Sequence, residues 1–85
     1  MDKVLEKIRK SIEKPMADMN VQVTDITYHE DGGYNFMTIE LDKVNGIDLD
    51  TIVEATNIIN PIIDKLDLID DQYILDIVSR ERGDK

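Results

Sequence analysis

Residues 21–43 read VQVTDITYHEDGGYNFMTIELDK, and the way this stretch pairs with itself decides the fold. Apolar residues alternate at Val21 and Val23, then at Ile26 and Tyr28 on the opposite parity. Successive strand side chains point to opposite faces, so a β-bulge near Thr24-Asp25 would bring both sets to one face. Glu30-Asp31-Gly32-Gly33 reads as a turn, and residues 34–43 as a second strand with Met37, Ile39 and Leu41 inward. Two strands joined by a short glycine loop predict an antiparallel hairpin.

Helical patterns flank the hairpin. Val4, Leu5, Ile8 and Ile12 recur at helical spacing, which predicts an amphipathic helix over residues 2–14. Pro15 is expected to interrupt it, with PMADM starting a short second segment that carries Met16 and Met19 and stops at Asn20. Beyond the hairpin, Asp48 caps a helix whose apolar face is Ile52, Ala55, Ile59, Ile62, Ile63 and Leu66. Pro61 should kink or shorten this helix. After a DLIDD loop, residues 73–78 form the third strand.

The order is α-β-β-α-β. The second strand, the helix and the third strand form a crossover, for which a right-handed connection and parallel strands are expected. Both helices then cover one face of a three-stranded mixed sheet, a two-layer α+β sandwich. The chain has 85 residues, enough for one domain that buries roughly 60–65% of its unfolded surface. A single domain over residues 1–79 followed by a tail over 80–85 is expected, the tail fraying at its charged end.

The chain contains no cysteine, which removes disulfides and thiolate metal sites. No apolar run approaches the ~18 residues of a membrane span, and MDKVLEKIRK is not a signal peptide. A cytoplasmic, soluble, monomeric protein without membrane contact is the expectation.

Formal net charge is −9, unevenly spread. Residues 1–14 carry Lys3, Lys7, Arg9, Lys10 and Lys14 against Asp2, Glu6 and Glu13; residues 15–79 carry 14 acids against Lys43 and Lys65. So acidic a body repels phosphate backbones, which argues against high-affinity nucleic-acid binding by this domain. It favours a basic partner and speeds that encounter.

The densest acidic junction, ELDKVNGIDLDTI at 40–52, admits several chemistries. A calcium loop with Gly46 at its sixth position would place Leu41, Lys43 and Asn45 at ligand positions and Ile52 at the last, which fails. A phosphate cradle needs more glycines, or a GK[ST] ending, and no flanking acids. Helix capping by Asp48, with Asp50 complementing the helix dipole, satisfies the spacing. His29 stands beside Glu30 and Asp31, but alternation splits them between faces, so a solvated strand end is expected and no metal. Ser11 lies among lysines and Ser79 has no nearby histidine, so no nucleophile–base pair emerges and neither catalysis nor a cofactor is expected. A KH-type RNA binder shares the architecture but needs a GXXG clamp; Gly32-Gly33 belongs to a hairpin turn instead.

Taken together, KPMADMNVQVTDITY, IELDKVNGIDLDTI, ATNIINPIIDKLDLI and YILDIVS resemble, in order and in one register over residues 4–79, the N-terminal domain of RimP-type ribosome maturation factors. Ile63-Asp64 matches the LD of the family's second helix, and Asp67-x-Ile69 its D-x-I. Residues 73–79 are similar to the opening of its Y-x-LEVSSPG signature, with Val78 in place of the first serine and Arg80-Glu81 in place of Pro-Gly. The resemblance implies a following small β-barrel, which would begin in the 80–85 tail; with the sequence stopping at Lys85, either an excised N-terminal domain or a divergent protein that lacks the barrel is expected. It also implies non-enzymatic help in assembling the small (30S) ribosomal subunit. With the charge map it suggests docking on the small subunit or its basic proteins through Asp42, Asp48, Asp50 and Asp76, with Asp70 and Asp71 as rim. The alternative is an acidic protein-interaction module without a ribosomal role.

Overall fold

The computed structural model describes residues 2–80. Helix α1 spans Asp2–Asp18, strands β1 and β2 Val21–Asp31 and Tyr34–Lys43, helix α2 Leu49–Leu66, and strand β3 Ile74–Ser79. The sheet order is β1-β2-β3, with β1 and β2 antiparallel and β2 and β3 parallel. Both helices lie on one face, so the two-layer α+β architecture is observed.

The bulge falls where the parity changes. Val23 pairs with Leu41 and Asp25 with Glu40, leaving Thr24 as the extra residue. Beyond it Ile26 stands opposite Ile39 and Tyr28 opposite Met37, so all four apolar residues of β1 share the inner face. Thr24 keeps its hydroxyl bonded, lying 2.7 Å from Glu40 Oε1 and 3.1 Å from the Glu40 carbonyl. Just before the bulge, Arg9 of α1 donates to the Val23 carbonyl at 2.9 Å and to Glu13 at 3.2 Å. That bond fastens α1 to β1. The hairpin turn is Gly32-Gly33, both at positive φ, a geometry that glycine adopts without strain. Glu30 and Asp31, expected in the turn, remain in β1 because Asp31 still pairs with Tyr34.

The core joins Ile8, Ile12 and Met16 of α1, Val21 and Val23 of β1, Met37, Ile39 and Leu41 of β2, and Ala55, Ile59 and Ile63 of α2. Leu75 and Ile77 of β3 pack against it. At about 25 cal/mol per Å² of apolar surface, this shared face supplies most of what holds two helices on a small sheet.

Two further expectations are corrected. Pro15 does not interrupt the first helix, which runs to Asp18. The proline removes one backbone bond near the helix end, but the turn after it carries Met16, fully buried, which holds the segment in line. Pro61 lies inside α2, which is not shortened and runs to Leu66 as its apolar pattern implies, with Ile59 and Ile63 buried on either side and the ring exposed. Lastly, the third strand begins at Ile74; Tyr73 precedes it and packs its ring against Tyr28. Asn20, at φ 63°, ends α1 as expected. From residue 81 onward, the expected tail lies outside the described residues.

Candidate docking surface

The C-terminal end of β2 delivers the first acids. Asp42 is half-buried and accepts from the Lys43 N–H at 2.8 Å. Asn45 and Gly46, both at positive φ, then turn the chain, and the Gly46 N–H returns to the Lys43 carbonyl at 2.9 Å. This brings Asp48 to the N-cap of α2 in extended conformation, accepting from the Thr51 N–H at 2.8 Å. Bonding to Thr51, through its side chain first and its backbone second, holds the Asp48 carboxyl below its ordinary value of 3.8; nearby Lys43 adds to this. Asp50 sits in the first helical turn, where the exposed N–H groups favour negative charge.

Asp70 and Asp71 occupy a different place. The helix ends at Asp67, in the left-handed conformation at φ 49°, with its N–H on the Ile63 carbonyl at 3.1 Å. The chain then returns toward the start of β2, where Asn35 donates to the Gln72 carbonyl at 3.1 Å. From Asn35 to Asp42 the strand runs seven residues, roughly 23 Å, in a molecule 36 × 28 × 21 Å across. Asp42, Asp48 and Asp50 therefore gather at one end of the domain and Asp70 with Asp71 at the other. Asp76 falls between them, on the outer side of β3 opposite Thr38.

The face turned away from the helices connects these groups. Alternation puts Asp25, Thr27, His29 and Asp31 of β1, Phe36, Thr38, Glu40 and Asp42 of β2, and Ile74, Asp76 and Val78 of β3 on it. Five are carboxylates, and none of these strand positions carries a lysine or arginine. Arg80, just past β3, borders the face together with Thr24, Asp25 and Glu40. His29 is exposed and stacks on Phe36 with ring centres 5.5 Å apart, consistent with a solvated strand position. Asp25, Asp31 and Glu40 escaped the sequence reading of the docking surface. Their signal was the same alternation that identified the inward residues, followed on the other parity.

On the helix-facing side of the sheet, Tyr28 of β1 and Tyr73 just before β3 meet edge to face at 6.4 Å. Burial, then the Asp64 carboxylate and Tyr28, push the Tyr73 phenol above its ordinary value of 10.0, so it stays protonated. Among the described residues no group of three or more His, Cys, Asp or Glu could hold a metal ion, and no helix is long and apolar enough to cross a membrane.

The family model described as the RimP N-terminal domain matches residues 11–80. The chain belongs to the RimP N-terminal domain family. This is a ribosome maturation factor family whose members are non-enzymatic assembly factors acting on the small ribosomal subunit. The match spans the C-terminal part of α1 with Pro15, the bulge, the Asp48 cap, all of α2 with Pro61, and β3.

Proposed function

We propose that this domain assists maturation of the small (30S) ribosomal subunit by docking, without catalysis, against its basic proteins in the cytoplasm. The observation that carries this reading is the family match over residues 11–80. Support for the docking mode comes from the open sheet face, where five carboxylates stand on paired strands. Asp42 and Asp76 belong to that face; Asp48 and Asp50 extend it around one end; Asp70 and Asp71 form a separate rim at the other. Each exposed charge contributes little alone, so the attraction is collective and weakens steeply with salt.

Sucrose-gradient sedimentation tests the reading. The intact protein should travel with free small subunits. Charge reversal of Asp42 and Asp76 should weaken that association more than reversal of Asp70 and Asp71. Association unchanged by reversing Asp42, Asp70 and Asp71 together would sink the acidic-docking mechanism, and failure of the unaltered protein to co-sediment would sink the ribosomal role.

A further inference from the structure

The exposed ridge of α1 has the opposite sign. Lys3, Lys7, Lys10 and Lys14 follow one another at spacings of four, three and four residues, and all are exposed. At 3.6 residues per turn they fall within about 60° of one another and span about 16 Å along the axis. They lie directly opposite Ile8, Ile12 and Met16, the residues by which α1 enters the core. The carboxylates of the helix, Asp2, Glu6, Glu13 and Asp18, offset this row only in part, although exposed Asp18 stands one turn after Lys14 on the same side. Glu13 lies to one side and is engaged by Arg9, and Glu6 reaches Lys10 only at 3.9 Å. Lys3, Lys7 and Lys14 have no carboxylate partner among the described residues.

We propose that this lysine ridge is a contact for the phosphate backbone of RNA, placed on the side of the domain opposite the acidic sheet face. The proposal rests on the ribosomal reading above for the RNA it would meet, but its chemistry is independent of that reading. Protein interfaces are depleted in lysine and built around aromatic or apolar anchors; the ridge has no such anchor, its neighbours on the helix being Glu6, Glu13, Ala17 and Asp18. The same lack of aromatic side chains excludes base stacking. What remains is a row of ammonium groups, point charges suited to phosphates and blind to sequence. The net charge of −9 opposes such a contact at long range. Near physiological ionic strength, however, fields are screened over about 8–10 Å. The acidic face lies across the thickness of both layers, about 10 Å from sheet to helix plus the helix itself, so the ridge acts locally as a cation. The affinity is low and serves to orient a domain held elsewhere by its acids.

The test uses the intact chain and its Lys3→Gln/Lys7→Gln/Lys14→Gln variant; glutamine matches lysine in helix propensity, so α1 is kept. A short RNA duplex is titrated at about 0.1 M salt while backbone amide resonances are followed, and binding to purified small subunits is measured against salt. Shifts should concentrate on α1 and vanish in the variant, whose affinity for subunits should show a salt slope flatter by about 2–3, close to one unit per phosphate released. Wild-type shifts that are absent, or that fall on the sheet face, would overturn the proposal. So would an unchanged slope in the variant, or salt-sensitive self-association that the variant abolishes, which would assign the ridge to a second copy. Loss of duplex shifts in the variant, when neither protein binds subunits, would uphold the ridge and reject the ribosomal reading.

Discussion

Deleting Thr24 should leave the fold intact, whereas deleting Thr27 should not. Thr24 is the residue of β1 without a counterpart on β2. Its removal joins Val23 directly to Asp25 and preserves every pairing, from Val21 with Lys43 to Asp31 with Tyr34. The losses are the hydroxyl bonds to Glu40 and some local twist, about 1–2 kcal/mol. Deleting Thr27 removes a paired residue instead. With the Gly32-Gly33 turn and Val23–Leu41 both retained, the bulge is consumed. Asp25 then slides opposite the fully buried Ile39, and Ile26 moves to the outer face. Losing the half-buried isoleucine costs about 1–1.5 kcal/mol, and turning a carboxylate toward the core costs about 2 kcal/mol or more. The sum is about 3 kcal/mol or more, against a total stability of about 4–13 kcal/mol expected for 85 residues. Urea unfolding followed by far-ultraviolet circular dichroism resolves the two, since about 1 kcal/mol per molar urea translates the difference into midpoints at least about 1 M apart. If both deletions shift the midpoint equally, Thr24 is not a dispensable insertion and the account of how β1 reconciles its two parities is wrong.

Other outcomes follow from single side chains. Ile39→Ala, in the middle strand between Ile26 and Ile77, should destabilise by about 2–5 kcal/mol; Ile39→Val should cost about 1 kcal/mol, and near-equal midpoints for the two would contradict the buried position. Tyr28→Phe removes a buried hydroxyl with no hydrogen-bond partner among the described residues, so unfolding should be unchanged or harder by up to about 1 kcal/mol; a clear loss of stability would show that the hydroxyl is bonded. Asp48→Asn should retain the α2 cap and Asp48→Ala should lose it, read as a lower melting temperature near neutral pH. Because the folded-state pKa of Asp48 is lowered, its ionised form contributes stability above the ordinary value of 3.8. That contribution is lost as pH falls below 3.8 and through the folded value, so the gap between wild type and Asp48→Ala should close in acid. A gap that widens there would invert the assignment.

Local patterns carried most of the architecture. The parity switch at Thr24-Asp25 located the bulge, the glycine pair located the hairpin turn, and Asp48 ahead of the apolar helical face located the cap, each depending on residues within a few positions of one another. Pro15 misled for a physical reason. Proline's lost backbone bond is a local cost of about 3 kcal/mol, while the burial that offsets it, of Met16 after Pro15 and of Ile59 and Ile63 around Pro61, depends on distant elements. The C-cap of α2 was silent too: aspartate enters the left-handed region less readily than glycine, and Asp67 does so with its N–H tied to Ile63. The candidate acids were nameable from the chain, but their division was not.

What the sequence determined alone is therefore whatever a run of neighbours decides: the order of elements, their inward faces, the hairpin, the cap, and a family register read over many positions. Which charges stand together was decided by the tertiary structure alone. The strand β2 carries Asp42 about 23 Å away from the loop of Asp70 and Asp71, and the layering of helices on a sheet turns the lysines of α1 and the carboxylates of the strands to opposite sides. Charge interacts through space, and position in space is set by the packing of remote segments.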